Sequence, residues 1–393
     1  MKINKYLDSK KMANKVKVAF LSYVTHSAHL NYGATLHGYA FQKVLDKLGC
    51  TNVVIDYLAK PVEGDNLKYP ILNREVGRSL PIWIAVKLNY LISFFTNIEK
   101  YVKFKRFIKD NLRITSRFFD YKTLASCESL VEDPDVFVCE SDVVWKYLNG
   151  SNYDSNFFLQ FPAAAGKKKV AYAPTISSHE FDDEIKLKFQ SLTKDFYGIS
   201  SREEIGGNYM GGVLNRNVPW VLDPTLLLDS ADYDKVLTRP KESDYLLIYN
   251  CTSNDRAMVA DACRYAKAHN LEVIEISNYA INCFSPLHAV KCNVGIEEWL
   301  GYVKYSKIII SNSFHGLCFA IIFKKDIYLY QRNRDDNRMP NLVDKFGMRN
   351  CFLEVDNRVL PNNPPIIDYD DVYKRLAGYR DSSLDFIRKN IIN

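Results

Sequence analysis

Short apolar runs alternate with helix-patterned segments along most of this chain, and they fall into two sets. The first set is Val16–Leu21, Val53–Tyr57, Val136–Cys139 and Lys169–Ala173. The second is Tyr245–Tyr249, Leu271–Ile276, Lys307–Ile310 and Asp326–Tyr330. Helical patterns lie between them: Gly33–Leu48, with Leu36, Ala40, Val44 and Leu48 at helical spacing and Gly49 closing it, then Glu184–Asp195, Asp255–His269, Ile296–Tyr302 and His315–Phe323. Strands this apolar, joined by helices, are strands of parallel sheets covered on both faces. The fold class is therefore α/β, with two doubly wound Rossmann-like domains facing a cleft. Residues 1–228 form the N-terminal domain, with a helical insertion around 81–111. Residues 229–242, carrying Asp, Lys, Arg and Pro, are the linker, 243–366 the C-terminal domain and 367–393 a C-terminal helix. A length of 393 residues is ample for two cores.

The net charge of +6 favours anionic partners such as phosphates, but no nucleic-acid motif or long basic tail accompanies it, so nucleic acid is not expected. Nine scattered cysteines without a CxxC pair suit a reducing compartment rather than a disulfide scaffold. Residues 1–15 lack a signal-peptide apolar region, and the protein is expected to be cytoplasmic. Pro81–Phe95 is too short to span a bilayer and contains Lys87 and Asn89. With Lys100, Lys103, Lys105, Arg106, Lys109 and Arg113 behind it, this region has two readings. One is an amphipathic helix on an anionic leaflet, giving peripheral membrane association. The other is a pair of helices packed on the first domain, with Phe104 and Phe107 inward and the lysines solvated.

Polar residues cluster where strands end and helices begin, the place where α/β folds hold ligands. Asn31-Tyr32-Gly33-Ala34 follows the first strand; a glycine there lets a ligand approach a helix N-terminus, or makes an ordinary tight turn. Glu140-Ser141-Asp142, with Trp145 after it, leaves the third strand with two carboxylates, suited to acid–base work, to a sugar hydroxyl, or to an N-cap. Arg202 in Ser201-Arg202-Glu203-Glu204 suits either an anion clamp or an internal ion pair. His315 in Ser313-Phe314-His315-Gly316 ends an apolar strand among Ser311, Asn312 and Ser313, which suits a polar pocket; beside so apolar a run it also suits a satisfied core histidine. Arg332, Arg334 and Arg338 form either an anion clamp or a solvated loop. His26, His29 and His37 have no HExxH or CxxC beside them, and no metal is expected. The absence of GxGxxG and GxxxxGK[ST] leaves dinucleotide and P-loop sites unsupported.

Taken in order, these segments resemble the polysaccharide pyruvyl transferase family. The family's Asn-x-Gly-Ala with Leu-Gln-x-Tyr-Ala is similar to Asn31–Ala40, and its Gly-Ser-Asp-Gln-x-Trp to Glu140–Trp145. Its Tyr-Ala-x-Ser is similar to Tyr172–Thr175, its Ser-x-Arg-Glu to Ser200–Glu203, and its Asp-Pro-Thr to Asp223–Thr225. Its Ser-Phe-His-Gly is similar to Ser313–Gly316, and its late Asn/Ser-Arg-Ile to Asn337-Arg338-Met339. The departures are His37 in place of Gln, Glu140 in place of Gly, Val143 in place of Gln, and Ser313 where some members carry Arg. An acid at the glycine position would narrow or repel an anion pocket.

The resemblance implies a GT-B-like architecture and transfer of pyruvate from phosphoenolpyruvate, a co-substrate, to two hydroxyls of a sugar. The product is a cyclic ketal on a surface polysaccharide or its lipid-linked precursor. No redox cofactor is required. On this reading His315 and Asp142 are catalytic. Arg202, Arg338, Ser313, Asn31 and Gly33 bind the donor, and Glu140, Trp145 and Tyr172 face the acceptor. Two rivals stay open: a GT-B-type glycosyltransferase using a nucleotide sugar, and a non-catalytic partner in polysaccharide assembly.

Overall fold

In the computed structural model the described residues are 15–25, 30–57, 98–116, 133–147, 153–176, 181–250, 255–277, 288–334 and 338–393. Five parallel strands, β1 (Lys17–Leu21), β2 (Thr51–Ile55), β3 (Val136–Glu140), β4 (Lys168–Tyr172) and β5 (Phe196–Ile199), form one sheet in the order β2-β1-β3-β4-β5. Six more, β6 (Tyr245–Asn250), β7 (Glu272–Ser277), β8 (Ala289–Lys291), β9 (Ile308–Ser311), β10 (Asp326–Tyr330) and β11 (Phe352–Leu353), form a second, in the order β11-β10-β9-β6-β7-β8. These are two parallel-sheet α/β domains in a GT-B-like arrangement.

The helices are α1 (Tyr32–Lys47), α2 (98–111), α3 (Asp183–Thr193), α4 (Glu204–Leu214) and α5 (Ser230–Asp234) in the first half and at the crossing. Beyond it lie α6 (Arg256–Ala268), α7 (Ile296–Tyr305), α8 (Phe314–Phe323), α9 (Arg338–Lys345) and α10 (Tyr369–Ile387).

Alternation along the strands decides what each sheet face buries. In the first sheet Val18, Phe20, Val54, Val138 and Val170 point into a cluster that continues into the second domain. Ala19, Leu21, Val53, Ile55, Phe137 and Ala171 point the other way, onto Trp145, Phe157, Phe158 and Phe189. In the second sheet Leu247, Tyr249, Ile276, Ile309 and Leu329 join the shared cluster, while Leu246, Ile248, Ile310 and Tyr330 pack against Met258, Ala262 and Tyr265 of α6. The shared cluster couples the domains. Tyr32 donates to the Val294 carbonyl at 2.8 Å and stacks on Trp299 at 5.2 Å. Helix α8 is buried on every side, so it reads as a continuous apolar run rather than an amphipathic one.

The C-terminal helix has a role beyond what its sequence pattern suggests. Tyr373 of α10 donates to the Ile322 carbonyl in the second domain. Farther along, Ser383 Oγ accepts from the Leu222 N–H, Phe386 packs on Tyr172, and Asn390 lies against Gly198, all in the first domain. The helix straps the two domains together.

Three expectations change. Of the 81–111 insertion, residues 81–97 lie outside the described residues; the helix seen is 98–111, with Phe104 and Phe107 buried as expected. Its lysines are not all solvated: Lys100 is buried over the Tyr32 ring, and Lys103 pairs with Glu99 and Glu298. Cys292 is disulfide-bonded, whereas Cys50, Cys139, Cys263, Cys318 and Cys351 are free. No helix among the described residues is long and apolar enough to cross a membrane.

Candidate functional site

Each sheet reverses strand order at its centre, beside β1 and β3 in the first and β6 and β9 in the second. Loops at such points diverge and leave a crevice. From the first sheet the crevice receives the N-terminus of α1 and the turn after β3. Asn31 caps α1, its side chain accepting from the Gly33 and Ala34 N–H groups. After Glu140 the chain turns sharply: Ser141 and Asp142 both take left-handed backbone, φ 41° and 65°. Such residues cost roughly 1–3 kcal/mol each and persist only where the surroundings enforce them. Here the Ser141 N–H donates to the Tyr172 carbonyl and the Thr175 N–H to the Asp142 carbonyl, both at 2.8 Å. The turn carries the Asp142 carboxylate toward the second domain. From that domain comes α8, capped by Ser313 Oγ and presenting His315 in its first turn.

Six side chains meet there. Arg202, just beyond β5, donates Nη1 to Asp223 at 2.9 Å, Nη2 to Asp142 at 3.3 Å and Nε to Thr175 at 2.9 Å. Its guanidinium also lies 5.0 Å from the centre of the Phe314 ring. Asp223 accepts from Arg202, Ser141 and Thr225. His315 Nε2 is 3.6 Å from Asp223 Oδ2, an ion-pair distance but too long for a hydrogen bond. His37, one turn into α1 from Gly33, sets Nδ1 at 2.9 and 3.0 Å from the two Glu140 oxygens and Nε2 at 3.6 Å from Asp142. The rings of His37 and His315 lie nearly parallel, 6.1 Å apart. His315 also rests on Gly33: a Cβ there would lie 1.9 Å from its Nδ1.

Access divides the cluster. The side chains of His37, Glu140 and Asp223 are fully buried and that of Arg202 is 1% exposed, whereas Asp142 keeps 16% and His315 10%. These last two, one from each domain, keep the most exposure of the six, although Nε2 of His315 is itself buried. Their charge states follow from their neighbours. Burial by itself would raise the Asp142 carboxyl, but His37, Arg202 and His315 hold it far below the usual carboxylate range. Burial works against the charged form of His37 too, yet Glu140 and Asp142 outweigh it and push its pKa up to about 10. His315 goes the other way: burial lowers its pKa, Asp223 resists, and Arg202 and His37 add to the lowering. At neutral pH the cluster thus pairs a carboxylate with a neutral imidazole, the two states general acid–base chemistry draws on.

The structure places the expected residues unevenly. Asp142, His315 and Gly33 are brought together. Asn31 and Ser313 sit at the caps of the two helices that flank them. Arg338 is half-buried at the start of α9, the helix whose Asn341 and Lys345 reach Glu204 of the first domain. Arg202 does not present an open cation, because its three donor groups are spent on Asp142, Asp223 and Thr175. The acceptor-facing trio needs correction. Trp145 is wholly buried, donating Nε1 to the Phe157 carbonyl and stacked on Phe158. Tyr172 is wholly buried and donates to the Leu222 carbonyl. Glu140 is spent on His37. All three shape the site from inside the fold.

Of the arginine run, Arg334 pairs with Asp356 at the surface. His26 and His29 lie outside the described residues. Among the described residues no three His, Cys, Asp or Glu side chains are placed so as to hold a metal ion. Two members were missed as site residues: Asp223, whose signal was its place in Asp223-Pro224-Thr225, and His37, weighed only as a metal ligand and a motif departure. Between α4 and α9 the domains also leave an open groove of about 450 Å³ whose lining includes Glu204, Asn341 and Lys345 but no member of the cluster.

Among solved structures the backbone is similar to that of UGT89C1 from Arabidopsis thaliana complexed with quercetin (12% identity, 96% of this chain and 94% of that one, TM-score 0.45). It is also similar to UDP-GlcNAc 2-epimerase from Methanocaldococcus jannaschii (12%, 92% and 92%, 0.42) and to Escherichia coli heptosyltransferase WaaC with ADP (9%, 94% and 99%, 0.39). No curated protein matches the chain. The family model for polysaccharide pyruvyl transferase matches residues 31–326, a span that runs from the cap of α1 through His315 to the start of β10. With more than half of its length matched, and with the cluster assembled from motifs inside that span, the chain belongs to the polysaccharide pyruvyl transferase family.

Proposed function

We propose that this transferase takes pyruvate from phosphoenolpyruvate and closes it as a cyclic ketal on two neighbouring hydroxyls of a sugar, releasing phosphate. The observation that supports this most is that Asp142 and His315, the two most exposed members of the cluster, come from different domains into one charge network through Arg202 and Asp223. In the reaction, the methylene carbon of the donor gains a proton and C2 becomes oxocarbenium-like. One sugar hydroxyl adds to C2 and gives up its proton. The C2–O bond to phosphate breaks, and the second hydroxyl adds and gives up its own proton. One proton is taken up by carbon and two are released, the extra one leaving with phosphate.

His315 is the proposed acid toward the methylene carbon. It is neutral in the resting site, and an arriving phosphate would raise its pKa and load it with a proton. Asp142 is the proposed base for a sugar hydroxyl. Arg202 is assigned a holding role, fixing both Asp142 and Asp223, rather than the donor clamp its motif suggests. The donor's anionic groups are then assigned to the N-terminal ends of α1 and α8, at Asn31, Gly33 and Ser313, with Arg338 as the cation. The acceptor is proposed to be a glycan or its lipid-linked precursor, approaching from the Asp142 side.

A thermal-shift titration with phosphoenolpyruvate, run beside nucleotide sugars, tests the reading. A ligand present at about 100 times its Kd stabilises the native state by about 2.7 kcal/mol. A rise with phosphoenolpyruvate that disappears in His315→Ala is expected. A rise with a nucleotide sugar alone would replace pyruvyl transfer by glycosyl transfer.

A further inference from the structure

The two most conspicuous departures from the family pattern, His37 for glutamine and Glu140 for glycine, are 103 residues apart in sequence and touch in space, Nδ1 to carboxylate at 2.9 Å. Both side chains are fully buried. A carboxylate introduced alone at position 140 would be an uncompensated buried charge, and an imidazolium alone at 37 would be the same with opposite sign. Together they add no net charge, just as glutamine and glycine add none. They do add a direction. The negative end faces back toward β3, and the positive end, His37 Nε2, faces Asp142 and the His315 ring. That nitrogen is buried and has no hydrogen-bond partner, so the 3.6 Å approach to Asp142 is its remaining polar contact.

We propose that His37 and Glu140 are one positioning unit: Glu140 grips Nδ1, and the opposite edge of the imidazolium holds Asp142 ionised and aimed into the cleft. The charged and titratable groups around the unit come from every element packed on it. Asp142 also faces Arg202, His315 and Tyr23, and Glu140 also faces Cys139 and Tyr172, which burial keeps protonated. The consequence for turnover rests on the pyruvyl-transfer reading; the charge state of His37 does not.

The test uses the full chain with nitrogen-15-labelled histidine, in the wild type, Glu140→Gln, His37→Gln and the double variant His37→Gln/Glu140→Gly. In the wild type His37 stays doubly protonated until the pH nears about 10. In Glu140→Gln its midpoint falls, because the carboxylate that raises it most is gone. With a working acceptor, each single variant lowers kcat roughly 10- to 100-fold while KM for phosphoenolpyruvate stays within about twofold, because Asp142 is misplaced and the donor contacts are not. The double variant recovers most of that loss and melts above both single variants. An ordinary imidazole midpoint for His37 in the wild type overturns the proposal, and so do strictly additive losses in the double variant. Loss of stability in Glu140→Gln with kcat per folded molecule unchanged would leave the pair a packing feature and reject the positioning role. The titration and melting measurements need no substrate, so they decide the pair even where phosphoenolpyruvate proves not to be the donor.

Discussion

Gly33→Ala is the sharpest perturbation of the cluster, and its size follows from one contact. A Cβ at Gly33 would lie 1.9 Å from His315 Nδ1, 2.3 Å from Cγ and 2.4 Å from Cε1. Ordinary non-bonded contact needs about 3.5 Å, so the ring must withdraw by about 1.6 Å or α1 and α8 must part. Overpacking of this kind costs about 1–3 kcal/mol, offset by up to about 1 kcal/mol because alanine is the better helix former. At about 2–4 °C per kcal/mol for a domain of this size, the melting temperature falls by several degrees. A reacting group displaced by more than 1 Å costs on the order of 100-fold in rate.

Gly38→Ala provides the control. It lies on the same helix, and its Cβ would come 2.0 Å from Val24 Cγ2, a neighbour outside the cluster. Both variants should melt lower, as measured by differential scanning fluorimetry. Only Gly33→Ala should lose phosphoenolpyruvate-dependent phosphate release and displace the His315 imidazole resonances. Equal kinetic losses in the two variants, or normal release by Gly33→Ala, would refute the argument that His315 works from its seat on Gly33.

Three further outcomes are expected. Arg202→Met leaves Asp142 and Asp223 facing each other without their shared cation and should destabilise by about 3–5 kcal/mol, read from denaturant unfolding; a loss below about 1 kcal/mol would show that the guanidinium is not the hub. Stability against pH should fall on both sides of about 6.5, the acid side starting with His315, whose lowered pKa takes its contribution away as pH drops below that value. The His37 contribution, from a pKa raised from 6.5 to about 10, is whole below about 6.5 and disappears as pH rises through 10, while the Asp142 and Asp223 contributions, from lowered pKa values, are whole above about 3.8 and fade in acid. Glu140→Gln should weaken the alkaline limb, and an unchanged limb would contradict the pairing. Trp145→Phe should lower stability by on the order of 1–3 kcal/mol yet leave acceptor KM unchanged, because Trp145 is core; a raised KM would return it to the acceptor site.

Much of the fold was legible because parallel strands buried on both faces must be apolar along their length. Val136–Cys139 and Lys307–Ile310 announce themselves in that way. The elements that escaped are those whose local signal is weak. β5 is four residues long and contains Gly198, and β8 and β11 are three and two residues. α4 carries Gly206, Gly207, Gly211 and Gly212, a composition that argues against a helix; it forms because tertiary packing overrides propensity. Trp145 and Tyr172 were misplaced for a related reason. They stand in motifs beside the cleft, and sequence adjacency to a site does not tell which side of the strand end a side chain takes.

What the sequence by itself determined is the architecture and the stations of chemistry: two parallel α/β halves, with Asn31, Asp142, Arg202 and His315 each placed beyond the end of a strand. Those follow from period and local chemistry, which a linear string carries. What only the tertiary structure decided is how the charges are paired. Arg202 turned out to be enclosed by Asp142 and Asp223, and Glu140 to be answered by His37 from 103 residues away. A buried charge is tolerable only beside its partner, and which partner lies within 3 Å depends on how β3, α1 and the second domain's α8 close on one another, a distance in space that spacing along the chain does not encode.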